Sequence, residues 1–170
     1  PVSGPVSNVE RLIESTKEAE RLGYDMVFGV DHIHNSHARH KQYPVGMGSF
    51  KDPSNTLDPN EFETMTAYSF LAGATSKIEF GVGVMPLPLR GDPIVLAKEV
   101  ATMDALSGGR FIFGVGSANV SDREEFKALG RPFSPYSERY DLMCEYVEAM
   151  RAIWESPNAS YHGKYVNFDN

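Results

Sequence analysis

Three short apolar runs constrain the fold of this chain more than any other feature. They occupy residues 24–30, 78–85 and 111–116, and each is nearly continuous in apolar residues and glycine. A strand with one wet face alternates apolar and polar residues; a run without alternation fits a strand covered on both faces of a parallel sheet. Parallel neighbours cannot be joined by a tight turn and need a crossover, usually a helix. The intervening segments supply the helices. Residues 7–22 carry Val9, Leu12, Ile13, Ala19 and Leu22 at helical spacing, with Ser7 or Asn8 as the cap and Gly23 as the stop. Asp58-Pro59-Asn60-Glu61 opens a second helix, which runs through Phe62, Met65, Tyr68 and Leu71 and ends near 74–77. Asp92-Pro93 opens a third, closed by Gly108-Gly109. A last helix spans about 135–154 with Tyr140, Met143, Cys144, Val147, Met150 and Ile153 on one face, and the tail from Ser160 reads as a short extended segment.

The order α-β-loop-α-β-α-β-insert-α places the chain in the α/β class. Two architectures satisfy it, an open doubly wound sheet and a (β/α)8 TIM barrel. Three strands are few for an open sheet of 170 residues, and a barrel takes eight units over roughly 250 residues. On the barrel reading, residues 1–170 are a partial barrel domain. It holds the helix of unit 1 and then units 2 to 4, with a long loop at 33–60 after the second barrel strand and an irregular insert at 117–134 after the fourth. A start without Met fits such a piece. Isolated from its remaining strands, the piece is expected to be inactive and prone to aggregate.

Composition narrows the function class. Sixteen Lys and Arg against 23 Asp and Glu give a net charge of −7, which argues against a broad nucleic-acid surface. No apolar run approaches the roughly 18 residues of a membrane-spanning helix. The single cysteine, Cys144, excludes an internal disulfide and a multi-cysteine zinc site, and reads as a small buried side chain. The expected setting is cytoplasmic, with a small-molecule substrate, no nucleic acid and no membrane.

In both architectures ligands collect at the carboxyl ends of the strands, so the residues just past each strand matter most. These are Asp31-His32, Gly83-Val84-Met85-Pro86 and Ser117-Ala118-Asn119. His32 is the natural proton donor or acceptor among them; the plainer reading is an Asp-His pair that caps a strand end. His34, His37 and His40 follow in the long loop, but no carboxylate or cysteine completes a recognisable ligand spacing, and no metal is expected. Gly114-Val115-Gly116 lacks the third glycine and the immediate helix of a dinucleotide fingerprint. Glycines there, and in Gly81-Val82-Gly83, equally let strands pack closely. Ser107-Gly108-Gly109-Arg110 lies on the opposite face, where residues serve stability; Arg110 is expected to pair with acids or carbonyls, and Arg139 and Trp154 to pack or form ion pairs.

Several stretches resemble the luciferase-like monooxygenase superfamily. They are Ala19–Asp25 followed by Asp31-His32, then residues 72–81, then the run from Leu96 through Ala101-Thr102-Met103-Asp104-Ala105-Leu106-Ser107-Gly108-Gly109-Arg110 to Gly116. Glu125–Gly130 and Arg151-Ala152-Ile153-Trp154 continue it. The resemblance implies a TIM-barrel oxidoreductase that uses the deazaflavin coenzyme F420 or reduced FMN. F420 is preferred slightly, from the loop after Asp31-His32 and the Leu87-Pro88-Leu89-Arg90 turn. It assigns His32 to proton transfer beside the cofactor ring, and Asp31, Gly83, Val84, Ser117 and Asn119 to the cofactor site. It also implies a non-prolyl cis peptide at Gly83-Val84. Asn119 cannot act as the general acid that a glutamate provides after the fourth strand in some F420 members. The phosphate anchor would come from later units, and the complete protein is expected to be a homodimer. The expected activity is hydride transfer with F420 or monooxygenation with reduced FMN on a small organic substrate. The alternative is a non-catalytic cofactor-binding member or partner subunit.

Overall fold

The computed structural model describes residues 9–33 and 62–169. Within them a parallel sheet of three strands, β1 (Met26–Gly29), β2 (Glu79–Pro86) and β3 (Phe111–Gly116), is ordered β1-β2-β3. Phe28 pairs with Gly81, and Gly81 with Ile112. Helices α1 (Val9–Arg21), α2 (Thr64–Ala72) and α3 (Pro93–Ser107) alternate with the strands, and α5 (Tyr136–Glu155) packs along α3. The α/β class and the parallel sheet follow the sequence expectation; no closed barrel is formed among the described residues. None of their helices is long and apolar enough to cross a membrane.

The core lies on one face of the sheet. Phe80, Val82 and Met85 of β2 are fully buried against Tyr68 and Leu71 of α2 and Leu96, Val100 and Met103 of α3. Tyr68 brings its hydroxyl into this core because it donates to the Gly81 carbonyl at 3.0 Å. The opposite sheet face carries Phe28, Ile112 and the glycines of β2 and β3, as strand alternation requires.

Local chemistry sets the element ends. Asp92 caps α3 by accepting from the Ile94 N–H at 2.7 Å, Pro93 sits in the first turn, and Gly108 closes the helix at φ 70°. Arg110 fastens the start of β3 to the end of α2, donating to the carbonyls of Ile78 and Ala72 at 2.8 and 3.0 Å. On the same side the Glu20 carboxylate accepts from the backbone N–H groups of Ser76, Lys77 and Ile78. Trp154 donates from Nε1 to the Ala97 carbonyl at 3.0 Å and locks α5 to α3.

The structure moves several boundaries. β1 is shorter than the run 24–30, because Gly23 at φ 81° and the exposed Tyr24 and Asp25 belong to the turn before it. Phe62 is not helical; α2 starts at Thr64, where the Glu63 side chain accepts from the Met65 and Thr66 N–H groups. The segment 117–134 is not irregular throughout. It holds a 3-10 turn (Val120–Asp122) and helix α4 (Arg123–Ala128). The tail forms an antiparallel hairpin of β4 (Tyr161–His162) and β5 (Asn167–Phe168), tied to α5 through Glu145, which accepts from the N–H groups of Lys164, Tyr165 and Val166. Cys144 is only half-buried, and Tyr140 stands 46% exposed rather than on the packed face. The caps at Ser7 and Asn8, the loop from 34 onward with His34, His37 and His40, and the helix start at Asp58–Glu61 lie outside the described residues.

Candidate functional site

The carboxyl ends of β1, β2 and β3 bring three predicted groups to one edge of the sheet. Asp31-His32 follows β1, Gly83-Val84 lies near the end of β2, and Ser117-Ala118-Asn119 follows β3. The Gly83-Val84 peptide is cis, as the resemblance implied. Here β2 carries a bulge: Val82 faces Phe113 and Met85 faces Val115, so two residues of β2 oppose Gly114 alone. Glycine is required at 114, since a Cβ there would lie 2.1 Å from the Val82 carbonyl oxygen.

Asp31 is turned inward. It is 1% exposed and held in a bidentate pair with Arg90, whose Nε donates to Oδ2 at 3.0 Å and whose Nη2 donates to Oδ1. The same Nη2 reaches Oε1 of Glu63 at 2.9 Å. Burial raises the Asp31 carboxyl above its ordinary value, with the Arg90 guanidinium pulling the other way. Burial also pushes Glu63 up, but hydrogen bonds from Thr66 and Arg90 outweigh it and hold that carboxyl below the usual range. Arg131 supports the turn that carries Arg90, donating to the Leu89 carbonyl at 2.7 Å. One ion network thus joins the end of β1, the cap of α2 and the turn after β2.

His32 lies beside this network and has a partner of its own. Its Nδ1 is 2.8 Å from Oε1 of Glu125, and Oε2 of Glu125 accepts from the Ile33 N–H at 3.0 Å. Glu125 is 1% exposed and His32 half-buried. Glu125 reaches this position because α4 is set by the turn before it. Asn119 accepts from the Ser121 N–H at 2.8 Å, Asp122 accepts from the Asn119 N–H at 2.8 Å, and Phe126 anchors the helix in the core. The Asn119 side chain is therefore engaged as a cap. Ser117 and Ala118 are held through their carbonyls by Arg139, which is 5% exposed and lies 4.2 Å over the Phe133 ring. Ala118 adopts φ 65°, the left-handed region that rarely suits a residue with a Cβ. Arg139 thus packs on Phe133, as expected, and also holds these carbonyls.

Among the described residues, His32, Asp122 and Glu125 are grouped closely enough to hold a metal ion, with ligand atoms within 4.8 Å of one another. Their carboxylate oxygens already accept donors: Asp122 from Asn119 N–H and Ser121 Oγ, Glu125 from Ile33 N–H and facing His32 Nδ1. The open side of the sheet is apolar, the surface a flat aromatic ring would need. Phe28 and Ile112, in one row with Gly81, and Val30 and Val84 nearer the carboxyl ends of the strands are 41–56% exposed.

Glu125, Arg90, Glu63 and Arg139 complete the site, and the strand-end rule did not find them. Glu125 stands 93 residues from His32 and Arg90 59 from Asp31, so no local spacing joins either pair. The available signal for Glu125 was its place at the start of the family-like stretch Glu125–Gly130.

Comparison with known proteins identifies the family. A profile described as luciferase-like monooxygenase matches residues 2–170. The chain is 33% identical over 111 residues to an FMNH(2)-dependent dimethylsulfone monooxygenase of Pseudomonas putida, covering 65% of this chain and 30% of that protein. It is 29% identical over 157 residues to an F420-dependent glucose-6-phosphate dehydrogenase of Intrasporangium calvum, covering 91% and 41%. The chain thus spans less than half the length of these relatives. Its fold is similar to that of the F420-dependent tetrahydromethanopterin reductase of Methanopyrus kandleri, with a TM-score of 0.66, 23% identity and 96% and 42% of the two chains covered. It is also similar to the EDTA monooxygenase of Chelativorans sp. BNC1, with a TM-score of 0.72, 20% identity and 96% and 40% covered. The chain belongs to the luciferase-like monooxygenase family.

Proposed function

We propose that this chain is part of a (β/α)8-barrel oxidoreductase that binds a deazaflavin or flavin against the exposed face of its sheet and acts on a small organic substrate, as a homodimer. F420 is favoured over FMN on the sequence resemblance, and relatives of both kinds support the broader class. The observation that carries the reading is the position of His32. Its imidazole is held by a buried carboxylate at the carboxyl edge of a parallel sheet whose open side is apolar and whose middle strand carries the Gly83-Val84 bulge.

When bound, the cofactor would supply hydride or oxygen-transfer chemistry. The chain's own residues have narrower tasks. Phe28 and Val84, exposed on the open side of the sheet, would shield one side of the ring from water. Ser117 and Ala118, whose carbonyls Arg139 holds, would border it together with Asn119. Asp31 acts by holding the strand end through Arg90. His32 takes or gives a proton at the substrate.

Replacing His32 by Ala in the full-length protein should lower turnover by about 100-fold or more, the usual size of a lost general acid or base. Anaerobic titration with F420H2 and with reduced FMN identifies the cofactor, and its affinity should change little in the variant. Unchanged turnover in His32→Ala would refute the role of His32. Binding without turnover over a broad substrate panel would favour a non-catalytic member.

A further inference from the structure

We propose that Glu125 is the positioning residue of His32: it fixes both the orientation of the ring and the nitrogen that carries the proton. This rests on the function proposed for His32, but its first readout is independent of activity. The Glu125 side chain meets the Ile33 N–H at Oε2 and His32 Nδ1 at Oε1, with the Asp122 carboxylate in the same cluster. The Ile33 group is a backbone amide and can only donate. A carboxylate can only accept, so it takes the Ile33 bond at one oxygen and calls for a donor at the other. The imidazole meets that demand with hydrogen on Nδ1. A neutral His32 ring then has its lone pair on Nε2, and a protonated ring has its acidic hydrogen there. Nε2 is therefore the working nitrogen in both directions of proton transfer.

The surroundings hold this arrangement firmly. Glu125 is 1% exposed, so bulk water does not compete at its oxygens. It is carried by α4, whose start is fixed by the reciprocal Asn119 and Asp122 bonds and whose next residue, Phe126, is 3% exposed. Phe126 packs edge-on to Phe133 at 5.2 Å, and Phe133 lies under Arg139, which holds Ser117 and Ala118. The loop after β3 and the imidazole after β1 are thus set by one buried block.

The isosteric variant Glu125→Gln gives a sharp test. A carboxamide has one oxygen and one NH2. Its oxygen must face the Ile33 N–H, because two donors would otherwise meet. The NH2 then faces His32 Nδ1, which must become an acceptor, and the ring hydrogen moves to Nε2. Long-range 1H–15N spectra of histidine-labelled full-length protein, with the His32 signals assigned through His32→Asn, read the tautomer without substrate or cofactor. The expected result is the Nδ1–H tautomer in the native protein and the Nε2–H tautomer in Glu125→Gln. Turnover should fall about 100-fold in Glu125→Gln, and Glu125→Gln should add less than about twofold when His32 is already Ala. Glu125→Asp, which keeps the carboxylate, should retain the Nδ1–H tautomer and recover part of the rate.

An Nδ1–H tautomer that persists in Glu125→Gln overturns the proposal, and so does an Nε2–H tautomer in the native protein. A switched tautomer together with full activity in His32→Ala supports the positioning role and sinks the function proposed for His32. The two failures are therefore distinct. If Glu125→Gln does not fold, Glu125→Asp and the native spectrum still decide, since the native tautomer alone can overturn the assignment.

Discussion

Replacing Arg90 by Met should destabilise the protein by about 3–5 kcal/mol at neutral pH, the cost of leaving a buried charge without its partner. Arg90 makes one bond from Nε and one from Nη2 to Asp31, and a further Nη2 bond to Glu63. Methionine keeps much of the side-chain stem and removes all three. The Glu63 share is small, because its side chain is 38% exposed and solvated. The Asp31 share is large, because that carboxylate is 1% exposed and water cannot replace the guanidinium. The pH dependence has a definite sign. Burial already raises Asp31, and without Arg90 it is raised further. A raised acid binds its proton more readily folded than unfolded, so the variant's stability falls as pH rises through the new value. The penalty is full at neutral pH and shrinks as pH falls toward about 4, the unfolded value of an Asp. Urea unfolding followed by circular dichroism over a pH series measures it. The double variant Arg90→Met with Asp31→Leu, which removes both charges, should recover most of the loss. A penalty below about 1 kcal/mol at pH 7, or one that does not change with pH, would refute the view that Asp31 depends on Arg90.

Two further outcomes follow from local contacts. Gly114→Ala should cost about 3 kcal/mol or more, because its methyl meets the Val82 carbonyl oxygen at 2.1 Å and backbone cannot swing aside. Gly81→Ala should cost less, since the nearest atoms, at 2.4 Å, belong to the exposed Phe28 ring; equal urea midpoints for the two variants would contradict this. Glu20, held down to about 2 by the backbone N–H groups of Ile78, Lys77 and Ser76, contributes stability above its ordinary 4.5. That contribution is lost as pH falls from 4.5 toward 2, so Glu20→Gln should flatten the acid limb of stability between those values, read from unfolding midpoints.

The fold was legible where local signals are strong. Asp92-Pro93 and Gly108-Gly109 bracket α3 because a cap side chain, a preset proline φ and a left-handed glycine each act within a few residues. Phe111–Gly116 was readable because β3 has turn glycines before it and polar residues after it. Helix α4 was not, since six residues of mixed charge carry too few turns to show a period. Of the candidate site, His32 was singled out from its place after β1, and the Gly83-Val84 bulge, which lies inside β2 and not after it, from family likeness. Glu125 and Arg90 were not, because their roles arise only when distant segments meet. Asn119 was singled out for the cofactor, while its side chain in the fold caps the turn that delivers Glu125.

The bulge in β2 also changes the phase of the strand. Phe80 and Val82 face the helices two residues apart, yet the next inward residue is Met85, three further on. A strand with strict alternation would send Met85 out to the solvent side. Deleting one residue of Gly83-Val84 would therefore restore alternation and keep Phe80, Val82 and Met85 on one face. It would also erase the irregularity that shapes the candidate site. Among relatives or redesigned variants, an alignment scored on hydrophobic pattern alone would favour that deletion. At this point of the chain, the regularity of the strand and the shape of the candidate site make opposite demands.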